Sequence, residues 1–131
     1  MKFVLLLLIM PFLLFAQSKK DSIRVFYLGG QSNMEGFGYV NELPDSLKKK
    51  NKNVFIYQGN PTADNDKSGG LGKWDLLQAG HGTGFSSDGK SNTLSDRFGI
   101  ELSLAKRLQE LYPNQKIAFI KYARNGSSID S

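Results

Sequence analysis

The chain has 131 residues, enough for one small domain, and no cysteine, which excludes a disulfide framework and a lipid-modified cysteine. Its formal charge of +5 at pH 7 is concentrated in short clusters, Lys19-Lys20 and Lys48-Lys49-Lys50 with Lys52, that read as solvated faces and loops. No basic face is interleaved with aromatic residues, so nucleic acid is not an expected partner.

The chain opens with Met1-Lys2, a short positive segment, followed by an apolar run from Phe3 to Phe15 broken only by Pro11. Ala16 then precedes Gln17, which suits cleavage by a signal peptidase. The run is short for a membrane span. Residues 1–16 therefore read as a signal peptide and 17–131 as the mature domain, exported to the periplasm or secreted, with no stable membrane association after cleavage. The competing reading is an uncleaved N-terminal anchor.

Ile23 to Leu28 is mostly apolar without clean alternation, the pattern of a strand buried on both faces of a parallel sheet. It runs into Gly29-Gly30-Gln31-Ser32-Asn33-Met34-Glu35-Gly36. A small Gly-flanked turn carrying a serine, at the carboxyl end of a buried strand, is where α/β enzymes place a nucleophile. A Gly-x-Ser turn alone is equally an ordinary helix cap; the strand before it and the rest of the block favour the nucleophile. The block has neither a Gly-Lys-Ser/Thr ending nor Gly-x-Gly-x-x-Gly spacing, so it is not a phosphate loop.

Short helical turns are expected near Met34 and over Asp45 to Lys50. A second strand is expected over Asn53 to Gln58 and a third over Lys116 to Tyr122. A long loop rich in Gly, Asn, Ser and Asp separates them, from Gly59 to about Asp96. Within it, Trp74 is either a wall of a sugar-binding cleft or a loop anchor. His81, the single histidine, sits between glycines, a poor setting for a base. One histidine and scattered carboxylates show no metal-ligand spacing, and no metal or organic cofactor is expected.

From Gly99 to Tyr112, Leu102, Ala105, Leu108 and Tyr112 recur at helical spacing, and Leu104 with Leu111 widens the stripe. Pro113-Asn114 ends this helix. Gly99 at its start could expose an N–H to a developing oxyanion, or could be a close-packing glycine. After the third strand, Ala123-Arg124-Asn125-Gly126-Ser127 forms a small polar loop. Strand, crossover, strand, crossover, strand predicts an α/β fold with a parallel sheet in the order second, first, third. Ser32, Gly99 and Asn125 should then share the carboxyl edge.

Gly30-Gln31-Ser32-Asn33-Met34 resembles the first block of the SGNH hydrolases, in the branch of sialate O-acetylesterases and acetylxylan esterases. Trp74, Leu77 and Gly80 resemble its W-x-x-L-x-x-G segment. Phe98-Gly99-Ile100-Glu101-Leu102-Ser103 resembles F-G-P-E-L-S with isoleucine for proline. Ile120-Lys121-Tyr122-Ala123 followed by Gly126-Ser127 resembles the strand before the Gly-Gly-Ser/Thr segment, with Asn125 replacing the first glycine. The blocks occur in family order across nearly the whole mature chain.

The resemblance implies a flavodoxin-like three-layer fold and a carbohydrate esterase acting on O-acetylated sugars. It makes Ser32 the nucleophile and one oxyanion N–H, and Gly99 a second oxyanion N–H. Gln31, Asn33, Asn125 and Gly126 become the expected substrate contacts. The family's Gln-Gly-Glu and Asp-x-x-His blocks have no counterpart here, and His81 matches no catalytic position. The sequence therefore reads as the N-terminal part of such an esterase, inactive alone. The rival from another class is a non-catalytic carbohydrate-binding or interaction module.

N-terminal sequencing of the exported protein is expected to give a mature chain starting at Gln17. A chain that retains Met1 and stays in the membrane would overturn the signal-peptide reading.

Overall fold

The structure, a computed structural model, describes residues 22–127. The signal-peptide reading of residues 1–16 lies outside the described residues. Strand β1 (Ile23–Gly30) leads into a single helical turn, α1 (Ser32–Glu35). A two-residue strand β2 (Gly38–Tyr39) and a short helix α2 (Asp45–Lys48) precede β3 (Val54–Gln58). The long connection that follows carries β4 (Asp75–Leu76), β5 (Ser86–Ser87), β6 (Asn92–Thr93) and β7 (Arg97–Phe98). Helix α3 (Glu101–Leu111) and strand β8 (Lys116–Ala123) close the fold. Both expected short helical turns and the main helix are present, and the architecture is α/β with a mainly parallel central sheet.

That sheet has the order β1-β8-β3-β4, with β1, β8 and β3 parallel and β4 antiparallel to β3. The third long strand, not the first, is central, which corrects the order expected from the sequence. The cause lies in side-chain composition. Ile117 and Phe119 of β8 are fully buried, and a strand with such a covered face gains most from neighbours on both sides.

Strand β1 is consequently an edge strand with one covered face. Phe26 and Leu28 turn to the core, and the Phe26 and Phe119 rings meet edge to face at 6.2 Å. Val25 and Tyr27 on the other face are 59% and 68% exposed. The expectation of a strand buried on both sides therefore fails for β1, because no described element lies over its second face. Ile120 and Tyr122 of β8 extend this open face.

The covered face packs on α3. Leu102, Ala105 and Leu108 bury against Val54, Ile56, Ile117 and Phe119, the period-3.6 stripe meeting the period-2 strands. Leu104 joins the packing, whereas Leu111 is half exposed and does not widen the stripe. Arg24, at the start of β1, lies 4.0 Å over the Tyr112 ring and ties the strand to the end of α3.

The long connection is more structured than its composition suggests. Leu77 is buried and its N–H donates to the Val54 carbonyl. Asn60 donates from its amide to the Ser68 and Ser87 carbonyls and accepts from the Ser87 N–H. Trp74 tilts against Tyr57 at 5.6 Å, beside the β4 edge and away from β1. The β2–β7 ladder brings the start of α3 back to the end of α1. There Gly36, at φ 98°, lies so close to Gly99 that a side-chain carbon would collide with the Phe98 and Gly99 backbone.

Gly36→Ala is therefore expected to destabilise the fold by about 2 kcal/mol or more, through overpacking and an unfavourable φ. Urea unfolding midpoints check this; an unchanged midpoint would mean that α1 and α3 are free to separate.

Candidate active site

Ser32 is the first residue of α1, directly beyond the carboxyl end of β1. The turn is closed by main-chain bonds: the Met34 and Glu35 N–H groups both donate to the Gln31 carbonyl at 2.9 Å, and the Gly36 N–H to the Ser32 carbonyl at 3.0 Å. Ser32 is half-buried, and its hydroxyl has no hydrogen-bond partner among the described residues. Gln31 and Asn33 flank it on the exposed side.

The loop after β8 is stapled to both ends of this turn. Gly30 pairs in register with Ala123, and the Arg124 N–H donates to the Gly30 carbonyl at 3.0 Å. The Asn125 N–H donates to Glu35 Oε2 at 2.6 Å. Asn125 and Gly126 are thereby held beside the Ser32 turn, as the sequence leads one to expect from adjacent first and third strands. Gly99 reaches the same edge through its contact with Gly36. Ser32, Gly99 and Asn125 thus lie together at the carboxyl edge of the sheet.

The Gly99 N–H is already engaged. It donates to Glu101 Oε1 at 2.8 Å, so the carboxylate of the first α3 residue caps the amide two residues before it. The other oxygen, Oε2, sits 2.8 Å from the Lys121 ammonium. This pair is almost wholly buried, Lys121 at 1% and Glu101 at 0% side-chain exposure. Lys121 Nζ also donates to the His81 carbonyl at 2.6 Å and the Glu35 carbonyl at 3.0 Å. One ammonium therefore joins the end of α1, the long connection and the start of α3.

Neither Glu35, Glu101 nor Lys121 was singled out from the sequence as a site residue. The available signal was a lysine set among Ile117, Ala118, Phe119 and Ala123, a charge inside a strand too apolar to be an exposed one. A charge so placed requires a buried partner.

His81 is fully buried. Its Nδ1 lies 2.9 Å from Gln58 Oε1, and its ring stacks on Phe85 at 5.2 Å. Nε2 is buried without a hydrogen-bond partner among the described residues. Burial, followed by the charge of Lys121, lowers its pKa to about 4, with Asp75 opposing weakly. The imidazole is neutral at pH 7 and makes no hydrogen bond to Ser32; it serves as a packed strut beneath the connection. Among the described residues, no three His, Asp or Glu side chains gather as a metal site.

A family model described as carbohydrate esterase, sialic acid-specific acetylesterase, matches residues 22–131. Among solved structures, the chain is similar to the crystal structure of NanS, with 19% identity and a TM-score of 0.45. That match covers 85% of this chain and 38% of the NanS chain, so this chain spans well under half of NanS. No curated protein matches the sequence.

The depressed His81 pKa sets an acid limit on stability. The folded state binds its proton only near pH 4, the unfolded state already near 6.5. The stabilisation is therefore fully present above about pH 6.5 and is lost as pH falls toward 4, in all about 3 kcal/mol. His81→Phe is expected to flatten this window. The drop in unfolding free energy from pH 7 to 4.5 should shrink by about 2 kcal/mol relative to the parent chain; equal drops in the two would exclude His81 as the cause.

Proposed function

The chain belongs to the sialic acid-specific acetylesterase family of carbohydrate esterases, and from that membership we propose that Ser32 is the nucleophile of an exported enzyme that removes O-acetyl groups from sugars. The observation that carries the proposal is the Ser32 turn itself: a hydroxyl without a hydrogen-bond partner among the described residues, set at the carboxyl edge of a mainly parallel sheet and bracketed by the Asn125-Gly126 loop.

In this reading Ser32 Oγ attacks the acetyl carbonyl as its proton passes to a base. The ester C–O bond breaks and the sugar alcohol leaves with a proton. Water then attacks the acetyl-serine and releases acetate, regenerating the hydroxyl. The Ser32 N–H supplies one hydrogen bond to the tetrahedral oxyanion. Gly99 is the second donor we assign, which requires Glu101 Oε1 to give up the amide it holds. Gln31, Asn33, Asn125 and Gly126 are the groups placed to contact the sugar. We assign the base to an Asp-x-x-His block of the family kind, since His81 is committed to Gln58 and Phe85.

A carbohydrate-binding module without turnover is the second reading. It is favoured by two facts, an occupied Gly99 amide and a Ser32 hydroxyl with no hydrogen-bonded base among the described residues.

Acetate release from an O-acetylated sialic acid, or from a small aryl acetate, separates the readings. Residues 17–131 alone are expected to turn over about four or more orders of magnitude more slowly than a natural form carrying an Asp-x-x-His block. Ser32→Ala in that form should abolish turnover and leave the circular dichroism spectrum unchanged. Full turnover without the Ser32 hydroxyl would end the nucleophile assignment. Sugar binding with no turnover by any natural form would establish the binding module instead.

A further inference from the structure

Glu35 is a buried carboxylate that the nucleophile assignment does not use. It is 7% exposed and ends α1, three residues after Ser32. Burying a carboxylate costs several kcal/mol unless hydrogen bonds compensate, so its partner matters. That partner is a main-chain amide, the Asn125 N–H at 2.6 Å, on a different element. Its own carbonyl meanwhile accepts from Lys121 Nζ, which brings a positive charge to the same residue.

The loop that Glu35 holds is a short turn. Gly126 sits at φ 71°, and Ser127 closes the turn with both its hydroxyl and its N–H on the Arg124 carbonyl. The Arg124 side chain is drawn outward to Asp64 at 3.6 Å. The turn is thus tied at Arg124 to Gly30 and at Asn125 to Glu35, one tie on each side of Ser32. What stays without a partner among the described residues is the Asn125 carboxamide and the Gly126 N–H.

We propose that Glu35 is a positioning residue of the esterase site: its carboxylate fixes the Asn125-Gly126 turn against Ser32, so that the unpaired carboxamide and amide face the bound ester. The proposal rests on the reading of Ser32 as nucleophile. A neutral acceptor of the same length would hold the turn nearly as well, whereas a methyl group would release it. The geometry, not the charge, is what Glu35 contributes to the turn.

The test compares Glu35→Gln and Glu35→Ala in the full natural protein, at a temperature where both are folded. Hydrogen exchange at the Asn125 amide is expected to quicken at least tenfold in Glu35→Ala and to stay within about threefold of the parent in Glu35→Gln. Aryl acetate kcat/KM should follow the same order, falling tenfold or more in the alanine variant and recovering in the glutamine one. A purely structural role would instead make activity track the folded fraction. Unchanged exchange at Asn125, or a rate loss that vanishes once corrected for folded fraction, overturns the proposal. If Glu35→Ala does not fold, Glu35→Asp keeps the charge but draws the acceptor back by one methylene; faster exchange at the Asn125 amide with lowered aryl acetate turnover supports the clamp, and parental values refute it. Ser32→Ala is the separate control. If it keeps full activity, the nucleophile reading fails whatever Glu35 does; if it is dead while Glu35→Ala is fully active, only the clamp fails.

Discussion

The fold depends on the placement of one charge. Lys121 lies on the core face of the central strand, and an ammonium there must find three acceptors or force the strand apart. It finds them in Glu101 Oε2, the His81 carbonyl and the Glu35 carbonyl, one for each of its hydrogens. The Coulombic gain of the ion pair is largely offset by the desolvation of both partners. Its value is in location: three segments remote in sequence are held at one point, and removal of either charge would leave the other buried and unpaired, a loss of about 3–5 kcal/mol.

A consequence reaches the chemistry. Glu101 has two oxygens and both are in use, one on Lys121 and one on the Gly99 N–H. The structural role of the carboxylate and the oxyanion role proposed for Gly99 therefore compete for one amide. Glu101 also stands in the first turn of α3, where a negative charge suits the helix dipole. These interactions favour the closed arrangement. An incoming oxyanion must match a charge-assisted hydrogen bond from a carboxylate already anchored by a lysine. The donors at Ser32 and in the Asn125-Gly126 turn that have no partner among the described residues face no such competition there.

How much of this was legible in the sequence follows from how each signal is encoded. Strand β3, strand β8 and helix α3 are written in local periodicity, and each was placed within about two residues. The Ser32 turn was legible because its glycines and its serine are contiguous. The strand order was not, because an apolar run states that a strand is buried without saying between which neighbours. Ile23, Val25 and Tyr27 look like core residues, yet they lie on the open face of an edge strand. Whether an apolar residue is covered depends on another element, and the alternation that would have warned of this is hidden because both faces of β1 are apolar. The Lys121 network joins residues 35, 81, 101 and 121, so no window of sequence contains it.

The eight-residue block from Gly29 to Gly36 is informative because nearly every position answers to a different constraint. Gly30 offers its carbonyl to Arg124, and Gln31 offers its carbonyl to two N–H groups of the turn. Ser32 keeps a hydroxyl without a hydrogen-bond partner among the described residues. Met34 packs against the core, Glu35 anchors the neighbouring loop, and Gly36 admits the Gly99 backbone. Gln31 serves the turn through its carbonyl oxygen alone, and the side chains of Gln31 and Asn33 are exposed, able to vary without disturbing the turn. Constraint and freedom alternate along the block. Residues that set the geometry point inward or act through the main chain, and the exposed side chains of Gln31 and Asn33, proposed to meet the sugar, can change without loss of the frame that presents Ser32.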